Sequence, residues 1–241
     1  MHELGTLVRQ TWLVFGRSLR AGLREPALAF VFPLAFPLLI IGLFSQVYSR
    51  VADLPGFPAD SYLDFAIAFP FIQGSLFASI NAGSALARDV ETGFLKRLAL
   101  TPMQRAALLL GNLAGVMTVA LLSAVIYLIA GFAAGLHFEA GAAGVLVMLV
   151  LGLLIALALA SLGALIGLRT GSGEAVQGVF PLFFVLVFLS ASSLPRDLLE
   201  HGWFRAIATI NPVSYLFEGL RSLVIFGWDG EALALGFGIA L

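Results

Sequence analysis

Few residues in this 241-residue chain could do chemistry, and most of them cluster. The densest group is Arg88-Asp-Val-Glu-Thr-Gly-Phe-Leu-Lys-Arg-Leu-Ala-Leu-Thr101, which holds the only lysine, Lys96. A phosphate-binding loop needs GxxxxGK[ST], so that backbone N–H groups cradle phosphates beside the lysine. Lys96 lacks those glycines, and ATP hydrolysis by that route is excluded. His2, His137 and His201 are scattered, and no HExxH pair is present. The absence of cysteine removes thiolate metal sites and cysteine nucleophiles. Gly171-Ser172-Gly173 is not a GxSxG elbow and reads as a bend. The residue types point to binding rather than bond-breaking.

Within the charged cluster, Val90, Phe94 and Leu98 form an apolar ridge at spacing of four. A short helix over about 89–100 is expected, displaying Phe94, Leu95 and Leu98 beside Lys96 and Arg97. Such knobs suit docking into a groove on another chain, or equally an interfacial helix resting on headgroups. On the docking reading, Phe94→Asp or Leu98→Asp leaves the chain folded but uncoupled from its partner. Thr101-Pro102-Met103-Gln104 has the form of a capping box with proline at the first helical position, which starts the next helix at Pro102.

The elements that carry these residues are set by composition. The chain is 60% hydrophobic and 11% charged, with a mean hydropathy of +1.02. Soluble domains carry roughly 45–50% apolar and about 25% charged residues, so the excess must face lipid. A net charge of −1 gives no pull towards nucleic acid. Charge-free windows at 26–49, 65–87, 106–136, 140–168 and 175–195 mark spans, each meeting or exceeding the ~20 residues a crossing helix needs, and the third span, started at Pro102, is taken as about 102–136. A sixth, from about 231, covers roughly half a bilayer at about 1.5 Å per residue and reads as the opening of another span. Continuous apolar runs without alternation exclude a transmembrane β-barrel. The fold class expected is an all-α membrane bundle of six spans. With the N-terminus inside, nine of the thirteen basic residues fall on the cytoplasmic side.

Residues 1–24 place Leu4, Val8, Trp12, Phe15, Leu19 and Leu23 on one helical face and Arg9, Arg17, Arg20 and Arg24 on another. That pattern describes an amphipathic helix in the membrane interface, either a simple anchor or a lever that touches a partner. The remaining 25–241 reads as one transmembrane domain. Between about 196 and 226, Trp203, Asn211-Pro212, Tyr215, Glu218 and Arg221 suggest two short helices dipping into the outer leaflet, because Asn-Pro starts a helix sharply and the charges oppose a full span. In the second span Gln73, Asn81 and Ser84 lie with Arg88 on one face. They serve as glue between helices or line a path for a polar part of a substrate. Gly111/Gly115, Gly131/Gly135 and Gly163/Gly167 have the spacing of close helix packing. The five complete windows contain no Asp, Glu, Lys, Arg or His, which disfavours an ion-coupled carrier.

These pieces, taken in order, resemble the type-2 ABC exporter permeases, in particular the daunorubicin-resistance-like branch. The resemblance rests on Asp89-Val-Glu-Thr-Gly-Phe-Leu-Lys-Arg-Leu with Thr101-Pro102, Arg105-Ala-Ala-Leu-Leu-Leu-Gly111, Leu194-Pro195, Trp203, Asn211-Pro212-Val-Ser-Tyr215 and Glu218-Gly-Leu-Arg221. It implies a coupling helix, including Asp89, Glu91, Gly93, Phe94, Leu95, Lys96, Arg97, Leu98, Thr101 and Pro102, seated in a cleft of a separate ATP-binding subunit. It also implies two such subunits, which would bind the ATP and magnesium, and a second permease copy, with no cofactor in this chain. The expected place is the bacterial inner membrane. The expected activity is export of a hydrophobic or amphipathic, drug-like or lipid-like compound. A polysaccharide or glycolipid substrate, or a non-transporting partner of an ATPase, stands as the alternative.

Overall fold

A computed structural model of the chain describes residues 2–24, 26, 30–98, 100–101, 103–192, 194–196 and 202–241. Helix α1 spans His2–Arg24, and α2 spans Phe32–Val47. Next, α3 (Tyr62–Ala66) and α4 (Ala68–Glu91) run almost continuously as a 30-residue helix. Ser61 caps its start, its hydroxyl oxygen accepting the Asp64 N–H at 3.1 Å. Then follow α5 (Phe94–Leu98), α6 (Arg105–Ala133), α7 (Gly141–Thr170), α8 (Gly173–Phe188), α9 (Trp203–Ile210), α10 (Pro212–Ile225) and α11 (Gly230–Ala240). No strand occurs among the described residues. The fold is an all-α membrane bundle.

Tyr62–Glu91, Ala106–Ala133 and Gly141–Thr170 are each long and apolar enough to cross a membrane, while Phe32–Val47, Gly173–Phe188 and Gly230–Ala240 are shorter apolar helices. Helix α4 is the central post, with 78% of its most apolar window buried. Its closest neighbour is α7, and glycine sets the approach. A Cβ on Gly163 would stand 2.0 Å from the Ser79 carbonyl oxygen, and one on Gly167 2.1 Å from that of Gly83. The Gly111/Gly115 pair receives α1, since a Cβ there would meet Val14 Cβ and Ser18 Oγ, each at 2.5 Å. The third pair does not join helices in that way: Gly131 meets Ile67 and Leu136, and Gly135 turns the chain after α6 at φ +94°. Gly171, at φ +58°, with Ser172 capping the Ala175 N–H, forms the expected bend between α7 and α8.

Helix α8 ends earlier than its charge-free window. The helix stops at Phe188, and residues 189–192 turn inward. Polarity there is hidden rather than absent. Arg221, 4% exposed on α10, donates from Nε to the Phe65 carbonyl at 2.8 Å, from Nη1 to that of Ala191 at 2.5 Å, and from Nη2 to that of Ser192. Its guanidinium also lies 3.6 Å from the Phe65 ring centroid. One arginine thus ties α3, the end of α8 and α10 together. Arg221→Met is expected to strand three buried carbonyls and lower stability by ~3–5 kcal/mol, a Tm fall of about 10 °C for a chain of this size. Arg221→Lys should recover less than half of that loss, because one ammonium cannot reproduce the planar fork. An unchanged melting temperature in detergent for either variant would remove Arg221 from this role.

Candidate functional site

At one end of the bundle α4 continues to Glu91, and Gly93 reverses the chain at φ +67°. Asp89 and Glu91 therefore belong to α4, and the short helix is only the five residues Phe94–Leu98. Its apolar side faces the bundle. Phe94, Leu95 and Leu98, with Met103, pack against Val14, Leu86, Leu108 and Ala164. This corrects the expectation of displayed knobs, because α1 and α6 leave a groove that takes the ridge. Glu91, Thr92, Lys96, Arg97, Leu100 and Thr101 form the outward surface, with Leu100 88% exposed.

The capping box is also corrected. Thr101 Oγ1 donates to the Leu98 carbonyl at 2.7 Å and closes α5, whereas α6 begins at Arg105 after an extended Gln104. Pro102 lies outside the described residues. The Gln104 N–H is taken instead by Gln10 Oε1 of α1, at 2.9 Å, which satisfies a donor at the α6 N-terminus.

Helix α1 is clamped to this end by a bidentate ion pair. Arg17 Nη1 lies 2.9 Å from Asp89 Oδ1, and Nη2 lies 2.5 Å from Oδ2. The same guanidinium stands 4.4 Å from the Phe94 ring centroid. Hydrogen bonding to Asp89 raises the Arg17 pKa above its ordinary value, against the opposing effect of burial. Val14 and Ser18 fill the Gly111/Gly115 niche, while Val8, Trp12 and Leu23 are exposed on the other side. Val14 and Ser18 of α1 thus meet protein, whereas Val8, Trp12 and Leu23 stay exposed.

Above the clamp lies a cavity of about 640 Å³ between α1, the start of α2, α4, α6 and α8. Asn81 and Ser84 line it, joined by Asn112 and Ser123 of α6. Ser84 Oγ and Asn112 Oδ1 are buried there without a hydrogen-bond partner. Phe77 and Phe180 stand on its apolar wall, ring centroids 5.8 Å apart. Gln73 is not in the lining: it is 1% exposed, and both of its amide atoms lack a partner. The structure therefore brings two of the three expected path residues together and adds Asn112, the only carboxamide in α6. That singularity was the signal in the sequence.

The α9–α10 end holds the remaining motif. Trp203 is 71% exposed at the start of α9. Asn211 caps α10, its Oδ1 accepting the Val213 N–H at 2.9 Å, and Pro212 occupies the first turn. Tyr215 donates to the Thr209 carbonyl at 2.7 Å and lies under Arg196, which pairs with Glu218 at 2.5 Å. These residues fasten the two short helices to each other and to the chain after α8. Asp64, not anticipated, accepts the His137 N–H at 3.0 Å and anchors the α6–α7 turn nearby.

A helical bundle with a clamped N-terminal amphipathic helix, a small exposed cap and a mixed polar–aromatic cavity is the frame of a multi-pass membrane protein. The chain belongs to the ABC-2 type transporter family, which matches residues 9–225. It is 28% identical over 198 residues to a daunorubicin resistance ABC transporter permease protein of Streptomyces coeruleorubidus, covering 80% of this chain and 65% of the relative. It is 26% identical over 156 residues to a probable doxorubicin resistance ABC transporter permease protein of Mycobacterium tuberculosis, covering 65% and 55% respectively. The chain thus spans between about half and two thirds of these two relatives. The resemblance to the daunorubicin-resistance-like branch is borne out.

Proposed function

We propose that this chain is the membrane-spanning subunit of an exporter that moves a hydrophobic or amphipathic, drug-like or lipid-like compound out of the cytoplasm or inner leaflet. Two permease copies and two separate ATP-binding subunits make the complex, and the ATP and magnesium sit in the latter. The N-terminus and α5 face the cytoplasm of a bacterial inner membrane. The observation that carries this reading is the mechanical continuity at the α5 end: the exposed cap, the Phe94 ring, the Arg17–Asp89 pair and the cavity are in contact in series. Force applied by a closing ATPase dimer at α5 would reach the cavity through one aromatic ring and one ion pair. The drug-resistance relatives point to the same class of cargo.

The test is co-expression with the ATPase encoded beside it, purification through a tag on the permease, and ATP hydrolysis measured in lipid. Co-purification and stimulation by doxorubicin are expected. Co-purification with flat activity across hydrophobic drugs would move the cargo to a glycolipid or polymer. No association with any ATPase would sink the proposal.

A further inference from the structure

We propose that the Tyr127 hydroxyl is a latch on α2: it holds the first turn of that helix against α6, and its release lets the turn swing about Pro37 and open the cavity on its α2 side. The starting point is a missing donor. Pro33 and Pro37 stand four residues apart on the buried face of α2, with Ile41 a turn further on. Proline has no N–H, so residue 37 cannot take the Pro33 carbonyl as an α-helix requires. Within a bilayer a carbonyl freed in this way must find another donor. Tyr127 of α6 supplies it, its hydroxyl donating to the Pro33 oxygen.

The surroundings are built for that bond. Tyr127 is buried, and its ring lies edge-on to Phe71 at a centroid distance of 5.9 Å. Gly74 leaves room for the hydroxyl, since a Cβ there would stand 2.9 Å from its oxygen. Ser123, a turn earlier on α6, is a second hydrogen-bond partner of the same hydroxyl, which therefore keeps a partner when α2 moves away. The two sides of Pro37 are held differently. Beyond it, Ile41 enters the core, and the rings of Phe44 and Tyr48 pack on Phe69 and Tyr62 at 6.0 and 5.2 Å. Before it, Phe36 meets Phe77 at 6.2 Å, while Phe30, Phe32 and Pro33 form one wall of the cavity and Phe32 stays 52% exposed. Proline is where a helix bends, and the Tyr127 bond is the polar tie that fixes the lighter side of this bend.

Removing the proline should remove the need for the latch, and that is the test. The chain has no cysteine, so Val119→Cys places a unique thiol in the α6 wall of the cavity. Its labelling by N-ethylmaleimide is followed in the full chain in lipid. Tyr127→Phe should speed labelling about tenfold, the factor to which ~1.4 kcal/mol of lost hydrogen bonding corresponds. In a Pro37→Ala background residue 37 regains its N–H, and Tyr127→Phe should then change the rate by less than about twofold. Gly74→Ala, which crowds the hydroxyl, should speed labelling with the tyrosine still in place. Ala156→Cys, buried on α7 away from the cavity, should label no faster in any of these chains. Equal acceleration by Tyr127→Phe in both backgrounds, or acceleration at Ala156→Cys as well, would mean general loosening and overturn the latch. So would a rate at Val119→Cys that neither Tyr127→Phe nor Gly74→Ala changes. These readings involve neither ATP nor a cargo, so the exporter proposal stands or falls separately.

Discussion

Valine at Gly163 is expected to abolish recovery of the folded permease, and alanine there to destabilise it sharply. The Cβ of either residue would stand 2.0 Å from the Ser79 carbonyl oxygen and 2.6 Å from its hydroxyl. The obstacle is backbone, which cannot rotate aside as a side chain does. Relief requires α7 to move away from α4, the post on which α2, α6 and α8 also pack. In lipid no hydrophobic force pulls the helices back, because association there depends on close packing. The loss for alanine should therefore reach or exceed the ~1–3 kcal/mol of ordinary overpacking. Gly42 and Gly178 are the controls, since a Cβ at either meets nothing within 4 Å. Alanine at those helical positions should be neutral or stabilising by up to ~1 kcal/mol. Equal melting temperatures for Gly163→Ala and Gly42→Ala would show that the α4–α7 contact is not the one described.

The different legibility of these features has a physical basis. Hydropathy reports whether a segment leaves water, and it located the apolar helices, the amphipathic α1 and the bend at Gly171. Local capping chemistry located the start of α10 at Asn211-Pro212, because both partners of that hydrogen bond lie within three residues. Hydropathy does not report whether lipid or protein receives an apolar side chain. Phe94, Leu95 and Leu98 therefore looked like a surface for a partner, although they pack on Val14, Leu86 and Leu108. The same blindness let the fifth window run past Phe188, where the turn is free of charge only because Arg221, some 30 residues on, supplies the donors. The Arg17–Asp89 pair joins residues 72 apart, and nothing local to either one marks it. Of the expected path residues, Asn81 and Ser84 meet in the cavity because α6 and α8 close around that stretch of α4. Gln73 shares their face of the helix but sits beyond the cavity.

Reversing charge on the outward face of α5 is the second large effect expected. Lys96 and Arg97 are exposed, and among the described residues the Arg97 guanidinium makes a long contact of 3.3 Å to the Thr92 carbonyl. Lys96→Glu with Arg97→Glu should therefore leave the melting temperature of the isolated permease within about 2 °C, as exposed substitutions change stability by no more than ~0.5 kcal/mol. If this face meets the ATPase, placing like charges across the contact costs several kcal/mol, and each 1.4 kcal/mol is about tenfold in association. Co-purification and drug-stimulated hydrolysis should fall by at least about tenfold. Leu98→Asp supplies the contrast. Its carboxylate would enter the cluster around Val14 and Leu108, so stability and coupling should fall together, and its phenotype cannot separate docking from folding. The charge-reversed pair can separate them. Full stimulated hydrolysis in a folded Lys96→Glu/Arg97→Glu permease would mean that the ATPase does not dock on this face, whatever Leu98→Asp does.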